Sequence, residues 1–321
     1  MVGHRSMTAS ARACLAAAAA CAVIATAAPA FAQVDLSGPW GARLHEDNLE
    51  RGGGPEMNEF EGLPINAADR MRGDSWSASL WTVPEHQCIP HPADYGPNFS
   101  QLVMWSDVDP VTKAVTAWHT EMSWMNPVRT IWMDGRPHPP AWAPHTWQGF
   151  STGKWEGDML TVETTHLKPA YIRRNGLARS EKATVREHFV RNGDILTIIT
   201  IVTDPVYLTE PYIKSRNFQV EPGYRMTPYP CSVDIEIDRP AGEIPHYLPG
   251  ANPFISEAAA KHKMPLEPAR GGAETMYPEY MEKMKTLPTA TMPAEAAPNA
   301  AQPASATRPA AAGASTPARP R

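Results

Sequence analysis

The chain has 321 residues, with Lys+Arg 29 against Asp+Glu 34 and a formal net charge of -5. Mild acidity with only 20% charged residues argues against a non-specific nucleic-acid binder, which needs cations to neutralise phosphates, and against charge-driven disorder. Hydrophobic content of 42%, with 10 Trp, can build a real core, and 34 Pro with 21 Gly favour short strands and turns over long helices.

At the start of the chain, Arg5 and Arg12 precede an apolar run from Ala13 through Ala28, and Ala30-Phe31-Ala32 puts small residues at the last and third-last positions. This is the pattern of a secretory signal peptide, residues 1–32, cleaved before Gln33. Cleavage removes two positive charges and no negative ones, so the mature charge becomes -7. No later stretch approaches 18 apolar residues in a row. The expected location is therefore periplasmic or secreted, with no integral membrane segment after cleavage. Cys14 and Cys21 leave with the signal, and the remaining pair, Cys88 and Cys231, is expected to form a disulfide in an oxidising compartment. The competing reading makes Cys88 a metal ligand or nucleophile within Cys88-Ile89-Pro90-His91.

Further along, His45-Glu46-Asp47 and Glu50-Arg51 lead into Gly52-Gly53-Gly54, a loop flexible enough to act as a cover. Residues 66–72 read as a short helix. Period-two alternation then dominates. Residues 101–108 and 114–122 flank Asp109-Pro110 as a hairpin, and 128–133 ends at Asp134-Gly135. Gly157-Asp158 turns into a strand over 159–165, and 183–190 with 195–202 bracket Asn192-Gly193, a strong hairpin signal. Residues 218–220 and 232–237 look like further strands, and 257–263 and 279–285 like short helices. The Ala/Pro-rich stretch 287–321 has almost no large apolar side chain and reads as a disordered tail. The body, 33–286, is then a single mostly β domain. Its strands must close into an antiparallel β-barrel or stack as a β-sandwich to hide their edges, with a few short helices at the periphery.

The segment Arg129-Thr-Ile-Trp-Met-Asp-Gly-Arg-Pro-His-Pro-Pro140, with Gly149-Phe-Ser-Thr-Gly-Lys-Trp-Glu-Gly-Asp-Met-Leu160 and Thr164-Thr-His-Leu-Lys168, resembles an uncharacterised family of secreted bacterial proteins, over residues 35–254. The resemblance implies export and a mostly β fold and carries no assigned reaction. Gly38-Pro39-Trp40 is similar to the Gly-x-Trp that opens lipocalin-like barrels, where the Trp plugs the closed end. Pro39 departs from that pattern and suits a strand start.

The densest polar constellation lies between residues 129 and 174. Asp134-Gly135-Arg136-Pro137-His138-Pro139-Pro140 is a turn stiffened by proline, and it would hold an imidazole beside a guanidinium. His138 is the preferred acid/base group, with Asp134, Glu156 and Asp158 as the carboxylates that could share the chemistry. Arg129, Arg136, Trp132 and His145 would orient a ligand, together with Trp147, His166 and Arg173. The competing structural reading has Asp134 capping the turn and Arg136 paired with an acidic neighbour. Gly149-Phe150-Ser151-Thr152-Gly153 matches Gly-x-Ser-x-Gly only superficially, because a strand rather than a helix follows. No metal site is expected, since Cys88 and His91, and His138 and His145, lack zinc-ligand spacing. No Gly-rich phosphate loop calls for an organic cofactor.

The leading expectation is an exported barrel that binds a small, partly apolar or aromatic ligand, with acid/base turnover left open. Two alternatives stand beside it. One is a carbohydrate-directed hydrolase with carboxylates spaced at roughly 5 to 9 Å. The other is a non-catalytic envelope interaction domain.

Overall fold

A computed structural model of the protein describes residues 34–43, 56–98, 100–240 and 242–292. The expected signal peptide, the 44–55 loop with its triple glycine, and residues 293–321 of the expected tail lie outside the described residues.

Eleven strands organise the chain: β1 (Gly38–Arg43), β2 (Leu102–Val108), β3 (Val115–Met122), β4 (Val128–Trp132), β5 (Phe150–Glu156), β6 (Met159–Thr165), β7 (Ala170–Arg173), β8 (Leu177–Arg179), β9 (Thr184–Asn192), β10 (Ile195–Thr203) and β11 (Tyr212–Val220). Nine of them close a barrel in the order β1-β11-β10-β9-β6-β5-β4-β3-β2, and β7 and β8 pair separately. Closure leaves the barrel itself no sheet edge to protect. One pair departs from the antiparallel expectation. β4 and β5 run parallel, Ile131 opposite Ser151, because the proline-rich segment 133–149 crosses from one end of the barrel to the other instead of turning back.

Tight hairpins gather at one end. Asn192 faces Ile195 and Glu156 faces Met159, so Gly193-Asp194 and Gly157-Asp158 are two-residue loops. In both, glycine takes the first position with φ of +59° and +63°, where a hairpin turn of the II′ type calls for it.

The lumen is filled in layers. On β9, Val185, Glu187 and Phe189 point inward, and on β10 Leu196, Ile198, Thr200 and Val202 do the same. An apolar layer toward the hairpin end contains Trp40, Trp118, Phe189 and Phe218, all buried. Trp40 donates its indole N–H to the Leu36 carbonyl at 3.0 Å and lies under the Arg191 guanidinium, 5.2 Å away. A second apolar cluster, with Phe60, Leu167, Leu177, Val202 and Tyr212, caps the opposite end.

Between these clusters lies a charged layer. Arg129, 3% exposed, donates from Nε to Ser151 Oγ at 2.9 Å and from Nη2 to Thr164 Oγ1 at 2.6 Å and to Glu187 Oε2 at 2.5 Å. Glu187 is fully buried, and its Oε1 has no hydrogen-bond partner among the described residues. Ser151, the serine of the Gly-x-Ser-x-Gly match, is thus a hydrogen-bond partner of a buried guanidinium near the start of β5.

Helices are short and peripheral. α1 (Ala67–Ser75) starts at Asn66, whose side chain accepts from the N–H groups of Ala68 and Asp69. α2 (Glu257–Lys261), α3 (Leu266–Ala269) and α4 (Pro278–Met284) follow β11. Three expectations need correction. Residues 232–237 alternate apolar and polar but have no sheet partner, leaving Val233 and Ile235 55% and 73% exposed. The strand expected over 218–220 is the end of a nine-residue strand, and β5 was not anticipated as a strand. Backbone contacts also reach past residue 286, since Thr289 bridges Pro265 and the Ala290 N–H donates to the Met264 carbonyl.

The charged layer predicts an asymmetry in mutational cost. Glu187→Ala strands Arg129 in the lumen and should lower stability by about 3–5 kcal/mol. Replacing both Arg129 and Glu187 by Met should cost much less than the single change. Urea unfolding at pH 7 measures both values.

Candidate functional site

The polar residues between 129 and 174 do not converge, because they alternate along strands whose two faces point to different places. Arg129 points into the lumen. His138 instead bonds through Nδ1 to Thr165 Oγ1 at 2.7 Å and through Nε2 to Thr152 Oγ1 at 2.9 Å. Thr152 and Thr165 neighbour the inward-facing Ser151 and Thr164, so His138 lies on the outer wall. There it anchors the 133–149 crossover.

Hydrogen bonds link His138 to His166. His166 Nε2 donates to the Pro140 carbonyl at 3.0 Å, and its Nδ1 lies 2.7 Å from Thr165 Oγ1, the same hydroxyl that bonds to His138 Nδ1. Burial, reinforced by the nearby His166, holds the His138 imidazole below its ordinary pKa. His145 donates from Nδ1 to the Leu167 carbonyl at 3.0 Å, its ring 5.2 Å from that of His166.

The remaining acidic expectations are exposed. Asp134 pairs with Arg136, whose guanidinium lies 3.6 Å over the Trp132 ring, and the pairing holds the Asp134 carboxyl below the usual range. Asp158 sits in the β5–β6 turn. Glu156 accepts from the Thr161 hydroxyl at 2.9 Å. Glu156 and Arg136 do border a common depression of about 450 Å³ near the hairpin end, together with Lys154 and Glu163.

A larger cavity, about 720 Å³, lies at the capped end outside the lumen. Of the expected site residues, Trp147 and Arg173 border it. Its other walls come from segments without long strands. Residues 76–92 form short helical turns that bring Trp76, Trp81 and His91. The β3–β4 turn brings Trp124, the β7–β8 ribbon brings Tyr171 and Arg174, and the segment after β11 brings Tyr229 and Glu236.

The rings contact one another. His91 stacks on Trp124 at 5.2 Å and 22°, Tyr229 lies 4.9 Å from Trp124, and Trp81 meets both Trp76 and Tyr171 edge-on, at 5.4 and 5.8 Å. His91 Nδ1 hydrogen-bonds to the Tyr171 hydroxyl at 2.8 Å. Burial first, and the Arg174 charge second, push the His91 imidazole down to about 3. Arg174 itself lies 4.4 Å over the Trp81 ring. Among the described residues Glu236 is the one carboxylate that lines the cavity, and it accepts from Gln87 Nε2 at 3.2 Å. Among the described residues, no three His, Cys, Asp or Glu side chains group as a metal site.

The outer wall is tied down covalently. Cys88 and Cys231 form a disulfide that closes a separation of 143 residues and sets their Cα atoms 5.7 Å apart, with both residues lining the cavity. Residues 221–240 and 242–250 are irregular and mostly exposed. Asn126 bonds to the backbone of Thr227 and Tyr229, and Gln87 accepts from Asp234 N–H. Nearby, Cys88, Met125 and Asn126 all have φ between +48° and +63°, a left-handed region that costs non-glycine residues energy and that collects around functional sites.

Compared with family models, curated proteins and solved structures, the chain matches none. Among the described residues, no helix is long and apolar enough to cross a membrane.

Two predictions follow from this wall. A cystine closing so long a loop contributes about 5 kcal/mol in the chain-entropy picture, less whatever strain it stores. The Cys88→Ser/Cys231→Ser double variant should therefore unfold at distinctly lower urea concentration, while far-ultraviolet circular dichroism keeps its barrel signature. For His91, folding favours the neutral ring, so its contribution is complete above the unfolded value near 6.5. That contribution is lost as pH falls from 6.5 toward 3, by up to about 1.4 kcal/mol per pH unit. Asp69, pushed up to about 7 chiefly by burial, works in the opposite sense, losing its contribution as pH rises from about 4 to 7. Comparing His91→Gln with the parent chain isolates the histidine: its stability should fall less steeply between pH 6.5 and 4.

Proposed function

We propose that this is an exported protein that binds a small, partly apolar or aromatic ligand in the capped-end cavity, rather than in the lumen or at the 134–140 turn. The observation that carries this reading is the convergence of Trp76, Trp81, Trp124, Trp147, Tyr171 and Tyr229 on one concave space. At about 720 Å³ the cavity lies within the range of roughly 300–1,000 Å³ typical of small-molecule sites. Apolar walls with a few polar groups, here Arg174 and the His91–Tyr171 pair, are the arrangement such sites use to hold and orient a ligand. Export is supported by the basic, apolar and small-residue pattern of residues 1–32 and by the Cys88–Cys231 cystine, a bond that persists in oxidising compartments. A glycosidase would need two carboxylates across its cleft, and among the described residues Glu236 alone lines this one, so the hydrolase alternative draws no support.

Thermal-shift screening of the mature chain against aromatic acids and alcohols, fatty acids and oligosaccharides tests the reading. A ligand at 100 times its Kd should raise stability by about 2.7 kcal/mol. Hits are expected among the aromatic compounds. Trp124→Ala should weaken them about ten-fold or more, because its exposed ring is one wall of the cavity and can be removed without opening the core. If no compound shifts the melt, or if Trp124→Ala and Tyr229→Ala leave every shift unchanged, the cavity is not the site.

A further inference from the structure

We propose that the ligand of this cavity is a hydroxyaromatic molecule, its ring held by the aromatic walls and its hydroxyl bonded to His91 Nε2. The inference rests on the ligand-binding reading above and deepens it to the polar group the ligand carries.

His91 is placed by its own sequence. Pro90 and Pro92 flank it and restrict the backbone on both sides, and Gln148 Nε2 donates to its carbonyl at 2.9 Å. The ring is boxed in as well. Trp124 stacks on it at 5.2 Å, and the Tyr95 and Tyr171 rings meet it edge-on at 5.0 and 6.3 Å. With the residue only 6% exposed and Nδ1 bonded to the Tyr171 hydroxyl at 2.8 Å, the imidazole is held in one orientation.

That orientation leaves Nε2. Among the described residues this nitrogen bonds to nothing, yet it is not sealed in the core, so it reaches the space that the ring borders. Burial, and behind it the Arg174 charge, keep the ring neutral, and a neutral imidazole has one nitrogen that donates and one that accepts. Which is which follows the direction of the Tyr171 bond. A ligand hydroxyl can donate or accept, so it satisfies Nε2 in either tautomer, whereas an ether or ketone oxygen fits only one. A purely apolar ligand fits neither: closing the cavity over an unpaired nitrogen removes its water and gives nothing back.

Neighbouring polar groups of the lining are already engaged. Gln87 donates to Glu236 and accepts from the Asp234 N–H, and the Ser75 hydroxyl donates to the Arg72 carbonyl. A hydroxyl on the edge of a ring lets one flat molecule use the aromatic walls and the open imidazole nitrogen together.

Equilibrium dialysis of the mature, oxidised chain against two matched probes, 2-naphthol and 2-methylnaphthalene, tests the assignment. The methyl group fills about the volume of the hydroxyl and cannot hydrogen-bond. Naphthol should bind about five-fold or more tightly, although its hydroxyl is the better hydrated in water. In His91→Phe, which keeps an aromatic ring in the stack, the preference should vanish or reverse. His91→Gln, whose amide offers both a donor and an acceptor, should keep part of it. In nitrogen NMR spectra of the parent chain the His91 ring signal, identified by its loss in His91→Gln, should move further with naphthol than with methylnaphthalene. Equal affinity for the two probes in the parent chain overturns the assignment even if neither variant folds. So does an undiminished preference in a folded His91→Phe. If the probes bind alike and Trp124→Ala weakens both, the cavity stands and only the hydroxyl assignment falls. Failure of both probes to bind removes both readings together.

Discussion

The constraint on which the molecule turns is that its barrel is full. A nine-stranded closed sheet could enclose a ligand, as other barrels do. Here the inward positions carry Trp40, Trp118, Phe189 and Phe218 toward one end and the Arg129–Glu187 layer at the waist, with a second apolar cluster sealing the other end. Desolvating an Arg and a Glu is costly unless they meet each other; Ser151 and Thr164 supply the guanidinium with further partners from neighbouring strands, while Glu187 Oε1 has none among the described residues. Such a layer helps fix the register of β4, β5, β6 and β9, because a slip of one residue would turn either charge outward and leave the other alone in the lumen. Binding chemistry is therefore displaced from the lumen to what the connecting segments build on top of it.

Those connections explain what was legible in the sequence and what was not. β2, β3, β6, β9 and β10 alternate apolar and polar residues cleanly, so their positions could be read almost to the residue. β11 could not, because Lys214 and Arg216 occupy inward-facing positions and break the pattern until Phe218. β5 was hidden by Gly153 and Lys154, and its parallel pairing with β4 is set by a crossover that local patterning does not encode. Residues 232–237 made the opposite error. Their alternation is good, but strand formation needs a partner edge, and a closed barrel offers none.

The site suffered a different loss. A dense run of Arg, His, Asp and Trp from 129 to 174 suggested convergence, yet Arg129 points into the lumen from β4 while His138 sits on the crossover and bonds to Thr152 and Thr165 on the outer faces of β5 and β6, so the two lie on opposite sides of one wall. The Cys88–Cys231 pair was the informative signal. Sequence reading drew it as a compartment marker, but its two ends bring His86, Gln87 and His91 against Tyr229, Ser232 and Glu236 across 143 residues of chain. Followed outward from each cysteine, it leads to most of the polar wall of the cavity.

That placement joins stability to the proposed function. The irregular, mostly exposed segment 221–240 is held to the body by hydrogen bonds to Asn126 and Gln87, and a segment of this kind is costly in entropy to order. The cystine confines it before any ligand arrives, so the ordering cost of the outer wall is met during folding rather than during binding. The left-handed backbone at Cys88, Met125 and Asn126 fits the same division of labour: strained conformations persist where covalent and packing restraints over-determine them. The barrel thus serves as the rigid base, its filled lumen resisting deformation. The cystine makes the outer wall behave as part of that base, and the aromatic rings between them keep the spacing that a flat ligand requires.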